Sequence, residues 1–282
     1  MVDKKSFERA VNSLPSLSSV VHRILSVIND PNSSSSDIAD VLKLDPVIAA
    51  KVLRLANSVY SGVPSRVSSL KNAVTFLGIK NISSLVLVYG LGAHADRSQM
   101  PFSLERFWRH SVFVAFVAEA IARYISKYES IDSNEVFSAA LLHDIGKLVL
   151  GIVSPEIVLS DHNVASEKKL PFYKVENESV SHVNFGERLA DLWHFPADLR
   201  AAIGCHHWIV PPSNYVKLVS IIHISDIMVH VIGYPVFENE TVPSIEQDAL
   251  REVHFPVETL RVIVDNALQN QKKIESLLET FS

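Results

Sequence analysis

The stretch Leu141-Leu142-His143-Asp144-Ile145-Gly146-Lys147 closes an apolar run that starts at Val136 and sets a histidine beside an aspartate. On a helix His143 and Lys147, four residues apart, share a face, with Asp144 turned about 100° away. Imidazole and carboxylate are the two commonest ligands for a divalent metal, and apolar packing can hold them still. A carboxylate at the end of a core-facing helix is costly to bury alone, so Asp144 calls for a cation. For this pair taken alone, a buried helix whose polar end reaches the surface accounts for the residues equally well.

Composition narrows the classes around that stretch. A chain of 282 residues, 48% hydrophobic, is globular and long enough for two units with a core each. A formal charge of -5, with no cluster of lysine or arginine among aromatics, argues against a nucleic-acid partner. The single cysteine, Cys205, excludes an intrachain disulfide and suits a reducing compartment. The start, Met1-Val2-Asp3-Lys4-Lys5-Ser6, lacks the apolar core of a signal peptide, and Glu119 and Arg123 interrupt the best candidate for a membrane span. A cytoplasmic protein without a membrane partner is expected. The unusual feature is twelve histidines in an acidic chain.

The rest of the chain reads as helices, and the expected fold class is all-α. Residues 1–97 form a first domain of short helices. Leu14, Leu17, Val20, Val21, Ile24, Leu25 and Ile28 recur at helical spacing until Asp30-Pro31-Asn32. Asp45-Pro46 opens a helix as cap and first residue, Gly62 and Pro64 break the chain, and Gly78 separates two further helices. A boundary near Arg97 to Pro101 leads to a second domain, residues 98–282. There Leu104–Ile125 is apolar nearly all round and therefore central. Asp132-Ser133-Asn134-Glu135 resembles a capping box for the helix that ends at His143. A polar segment with Pro155 and Pro171 follows, then helices over 180–193, from Pro196 through His206-His207, over 216–231 and over 250–278.

Polar residues stranded on the apolar helices of the second half are His110, His143, Asp144, His182, His206, His207 and Asp226. One buried histidine is ordinary; seven ligand-type side chains spread over several helices need compensation, which a metal supplies. His22, His94, His162 and His254 stand outside this set and are expected to be dispensable for metal content.

The order His110, His143-Asp144 and Asp226 resembles the H…HD…D pattern of HD-domain metal-dependent phosphohydrolases. His182 with Gly186 and Leu189, and the pair His206-His207, are similar to the extra ligands of two-metal members, the HD-GYP cyclic-dinucleotide phosphodiesterases among them. The resemblance implies one metal at His110, His143, Asp144 and Asp226, with Asp144 bridging to a second at His182, His206 and His207. Adjacent helical histidines diverge by about 100°, so both His206 and His207 need not reach one ion. The first half narrows the likeness. Leu14-Pro15-Ser16-Leu17, Leu44-Asp45-Pro46, Leu53-Arg54-Leu55-Ala56-Asn57-Ser58, Ala73-Val74-Thr75-Phe76-Leu77-Gly78 and Phe107-Trp108-Arg109-His110-Ser111 resemble the HDOD domain, the HD-related output domain of bacterial signalling proteins. That likeness implies a small N-terminal helical bundle packed on an HD-type bundle.

Two functions follow from the resemblance. One is a regulatory output module, with a signalling protein as partner, that keeps the metal as structure or sensor. The other is a phosphohydrolase acting on a phosphorylated small molecule, in which Asp144 and Lys147 are the catalytic pair and Lys147 clamps the phosphate. Against that role, Lys147 also reads as a solvated lysine at a helix end. Trp208 and Ile209-Val210-Pro211-Pro212 stand where HD-GYP enzymes carry a glutamate and their signature loop, which argues against cyclic di-GMP as substrate. Mixed histidine and carboxylate ligation suits one or two divalent transition-metal ions: iron, manganese, nickel or zinc.

Overall fold

The structure is a computed structural model that describes residues 19–269 except 29, 31, 45, 60–66, 93–97, 178–179, 193–194, 208–210 and 255–256. The expected features at Leu14-Pro15-Ser16-Leu17, Asp45, Gly62, Pro64, His94, Trp208 and 270–278 lie outside the described residues. Among those described there is no strand, and the all-α class holds. The chain forms two compact units, one holding the helices from Ser19 to Gly92 and the other those from Leu104 onward. The boundary expected after residue 97 adjoins residues 93–97, which are not described.

The smaller unit contains α1 (Ser19–Ile28), α2 (Ser35–Leu42), α3 (Pro46–Val59), α4 (Leu70–Leu77) and α5 (Ile79–Gly92). Ser34 opens α2 with a reciprocal cap: its hydroxyl accepts from the Asp37 amide, and the Asp37 carboxylate accepts from the Ser34 amide at 2.8 Å. Ile38, Val41 and Leu42 then face inward with Ala73, Val74 and Leu77 of α4, which packs on α2. Gly78 ends α4 at φ +81, a conformation that costs glycine little, and lets α5 start at once.

The larger unit is built around α6 (Leu104–Ile125), which packs on α7 (Ser133–Leu142) and α12 (Val216–Val231). Both long helices have the expected limits, and each is sheathed on nearly every side by its neighbours. Between them in sequence lie α8 (Ile145–Val153), α9 (Pro155–Lys168), α10 (His182–Leu192) and α11 (Ala197–Cys205), with α10 packed against both α8 and α11. Two short helices, α13 (Gln247–Val253) and α14 (Val257–Gln269), follow α12.

Four expectations are corrected here. The polar segment after Pro155 is the helix α9, with Pro155 in its first turn, because exposed polar positions do not prevent a helix that buries only Val158 and Ala165. The single helix expected over 250–278 is interrupted after Val253, where His254 takes the left-handed conformation at φ +47. Asp132 caps α7 through the Asn134 amide at 2.8 Å rather than through a box closed by Glu135. Finally, Ser133–Val153, and not the stretch interrupted by Glu119 and Arg123, is apolar and long enough to cross a membrane by composition. It is mostly buried in the fold and broken in the middle, so its apolar surface is core.

Candidate metal centre

The break falls at His143-Asp144. His143 ends α7, and Asp144, at φ −97 and ψ 13, starts α8. The shared helical face of His143 and Lys147 is therefore not formed. Instead the turn lets His143, Asp144 and Lys147 point into one interior space, with Lys147 Nζ 2.8 Å from Asp144 Oδ2. A solvated lysine does not describe Lys147, which is 2% exposed and paired with Asp144.

The other expected ligands also sit mostly at helix ends. His182 is the first residue of α10, while His206 and His207 follow the last residue of α11. Only His110 on α6 and Asp226 on α12 lie within helices. Helix ends supply what the imidazoles need, because the last carbonyls of a helix have no partner in their own helix. His143 Nδ1 donates to Ala140 O at 2.7 Å, and His206 Nδ1 to Ile203 O at 3.0 Å. His110 Nδ1 donates to Tyr234 O at 2.9 Å, and His182 Nδ1 meets Glu176 Oε2 at 2.5 Å. A carbonyl or carboxylate oxygen can only accept, so the proton sits on Nδ1 and each Nε2 keeps its lone pair.

Those lone pairs converge on Asp144 from two sides. Oδ2 faces His143 Nε2 at 3.5 Å and His110 Nε2 at 3.7 Å; Oδ1 faces His182 Nε2 and His206 Nε2, each at 3.4 Å. Asp226 Oδ1 completes the first side, 3.1 Å from His110 Nε2. On the second, His182 Nε2 is 3.4 Å from His206 Nε2 and 3.1 Å from His207 Nε2. Adjacent His206 and His207, at the C-terminal end of α11, thus both reach one group with Asp144 and His182. Every residue of the expected set is buried, and His207, at 4%, is the most exposed of them.

The donors fit a metal. His110 Nε2, His143 Nε2, Asp144 Oδ1 and both Asp226 oxygens are buried without a hydrogen-bond partner. His182 and His206 turn two unprotonated nitrogens toward each other and toward a carboxylate oxygen, an arrangement that repels itself unless a cation sits between. Groups of buried histidine and aspartate with metal-binding spacing occur at Asp144, His182, His206 and His207, and at His110, His143 and Asp144. Nitrogen and carboxylate donors suit a divalent transition metal.

Sequence reasoning missed three participants. His230 joins His110 and Asp226 in a third such group, its Nδ1 3.1 Å from Asp226 Oδ1. The spacing of four from Asp226 on one helix was a usable signal. Glu176 holds both the ring and the backbone amide of His182, and Glu240 lies 3.6 Å from His230 Nε2. Both glutamates come from irregular segments, where no periodicity marks them. His162, stacked on Phe237, and exposed His254 stay outside all three groups. The His22 side chain is not described.

Electrostatics divide the cluster by charge state. Burial pushes His143 down to about 3, with Asp144 only partly offsetting it, and burial likewise drives His207 well below the ordinary histidine value. Burial disfavours charge on Asp144 too, but Lys147 leads the groups that outweigh it and hold the carboxyl well below its usual range. Burial opposes protonation of His230, yet Asp226 and Glu240 keep it well above its usual value. The signs give a prediction for the metal-stripped protein. His143 and His207 take up protons more readily unfolded, near pH 6.5, so their contribution is complete above that pH and lost as pH falls toward about 3. His230 has the opposite sign: its contribution is complete below pH 6.5 and lost on the alkaline side. The free energy of unfolding measured against pH should therefore begin to fall below about pH 6.5, well before the carboxylates protonate. A flat profile down to pH 4 would contradict the buried neutral imidazoles.

The HDOD domain family model matches residues 14–209. A solved HDOD domain protein of unknown function from Geobacter sulfurreducens superposes with a TM-score of 0.75 at 24% identity, covering 99% of this chain and 96% of that one. A Shewanella amazonensis protein, provisionally named a phosphohydrolase, gives 0.72 at 21% identity, with 98% of each chain covered. A Marinobacter aquaeolei protein, provisionally named for signal transduction, gives 0.76 at 20% identity over 99% of this chain and 61% of that one. At these identities the likeness is one of fold. An uncharacterised protein of Treponema pallidum is 22% identical over 225 residues, and the matched region covers 79% of this chain but 43% of that protein's length.

Proposed function

Because the chain belongs to the HDOD domain family, we propose that it is a signal-transduction output module whose larger unit is organised by an enclosed divalent-metal centre. The observation that carries this reading is the enclosure itself. His110, Asp144, His182, His206 and Asp226 are 0% exposed, His143 1% and His207 4%. Substrate turnover requires the reacting phosphorus to reach the ions, whereas a structural or sensing ion needs only its ligands. A signalling protein is the partner this reading implies, and a reducing cytoplasm suits a chain with one cysteine.

The residues that would hold the metal are His110, His143, Asp144 and Asp226 on one side and Asp144, His182, His206 and His207 on the other. The two-sided presentation of Asp144 favours a second reading, a phosphohydrolase. Two ions held there would supply Lewis acidity toward a bound water and a phosphoryl oxygen. In that reaction the role of the chain would be to hold the cluster through Glu176, Tyr234 O and Ala140 O, and to keep Lys147 charged beside Asp144.

Metal analysis of protein purified without chelator or affinity-tag metal, followed by turnover assays on nucleotide mono-, di- and cyclic phosphates, separates the two. The expected result is one or two transition-metal ions per chain and no turnover. Turnover lost in Asp144→Ala would replace the regulatory reading with the enzymatic one. A chain that stays empty after reloading with iron, manganese and zinc would remove the metal from both.

A further inference from the structure

His223 lies on α12, 1% exposed, one turn before Asp226, and touches none of the converging nitrogens. Its Nδ1 is 2.8 Å from the carbonyl oxygen of His206, and its Nε2 accepts from the backbone N–H of Glu246 at 3.1 Å. The carbonyl can only accept and the amide can only donate, so the ring is the neutral tautomer with its proton on Nδ1. Both nitrogens are fully used, and both bonds go to backbone. One ends on the residue that closes α11, the other on the residue that opens α13 without a side-chain cap of its own.

The position matters because His206 and His207 directly follow the last residue of α11, where backbone carbonyls have no partner within the helix. The His206 side chain is held by the carbonyls of Ala202 and Ile203, which leaves its backbone to be held by something else. The segment between α12 and α13 meets the cluster once more through Tyr234 O, which receives the His110 ring N–H. All of this segment lies beyond the matched residues 14–209.

We propose that His223 is a positioning residue of the metal centre: its Nδ1–H fixes the backbone at His206, and thereby the His206-His207 donors, while Nε2 anchors the start of α13. The inference rests on the metal reading above and adds to it the residue that sets the geometry of one donor group. It also assigns the two nitrogens separate tasks, which two conservative substitutions can part. Asparagine places an amide donor near the Nδ1 position and nothing at Nε2; glutamine places an acceptor near Nε2 and no donor at Nδ1.

The test uses the full chain, stripped and titrated with zinc against a chromophoric chelator, with amide hydrogen exchange at Glu246 as a second readout. His223→Gln is expected to weaken zinc binding about 10- to 100-fold, the usual effect of removing a group that orients a ligand, while Glu246 keeps its protection. His223→Asn is expected to hold zinc within a few-fold of wild type while the Glu246 amide loses protection. Equal losses in the two variants, whether of affinity or of folded structure, overturn the inference, as does wild-type affinity in both. Failure of the wild type itself to bind zinc strikes the metal reading instead, and with it this one.

Discussion

Gly146→Ala is expected to unfold the larger unit or strip it of metal, at a cost well beyond the ~1–3 kcal/mol of ordinary overpacking. A Cβ on Gly146 would lie 1.9 Å from the carbonyl oxygen of His182, 2.8 Å from its carbonyl carbon and 3.0 Å from the Gly186 nitrogen. All three are backbone atoms, so no rotamer change relieves the clash and α8 must move off α10. The same two residues stand beside the donors, since Gly146 is two residues from Asp144 and His182 is itself in the cluster. Gly186→Ala makes the control. Its Cβ meets Ile203 Cγ2 at 2.6 Å, a side-chain methyl rather than backbone, and the Gly146 backbone only at 3.3 Å. That variant should cost ~1–3 kcal/mol and keep its metal. Denaturant unfolding and metal content on both variants check the order, and a Gly146→Ala protein as stable as wild type would deny the close approach of α8 and α10.

Asp144→Ala should be the most damaging change among the ligands. It removes the group shared by both sides of the cluster and leaves the Lys147 ammonium buried without its carboxylate. Burial disfavours that ammonium, and Asp144 is the foremost of the groups that nevertheless keep it charged. Breaking a buried pair from one side costs about 3–5 kcal/mol. Lost metal adds to this, about 2.7 kcal/mol where free metal stands at a hundred times Kd. Chelation should therefore lower the Tm of the wild type and leave that of Asp144→Ala unchanged. Adding Lys147→Met to Asp144→Ala should recover part of the stability, because the stranded charge goes with it. If the double variant is no more stable than the single, Lys147 is not a buried cation held by Asp144.

Some of this was readable in the sequence because it is periodic. Leu104–Ile125 and Val216–Val231 have their expected ends, since helices apolar on nearly all sides must be central and each is bounded by clear polar or proline signals. The seven ligand-type residues are brought together in space, because polar groups on otherwise apolar helices have nowhere to go but inward. What was not readable depends on departures from periodicity. The turn at His143-Asp144 leaves the apolar pattern intact on both sides, so continuous helix and broken helix look alike until tertiary packing chooses. Glu176 and Glu240 act from segments with no repeating pattern, and His223 differs from a packed core histidine only in which backbone atoms lie at its two nitrogens. His230 is different in kind, since its spacing from Asp226 was visible and was passed over.

The enclosure of the donors has a consequence in time as well as in energy. An ion surrounded by side chains with 0% to 4% exposure cannot leave by exchanging ligands with water one at a time. Its departure would require helices to part, so its residence would be governed by the opening rate of the bundle and not by bond strength alone. Two ions of different affinity would then be lost at similar rates, each waiting for the same opening. An occupant would then reflect which metal was abundant while the chain was folding, and a later change in supply would reach newly made molecules before old ones.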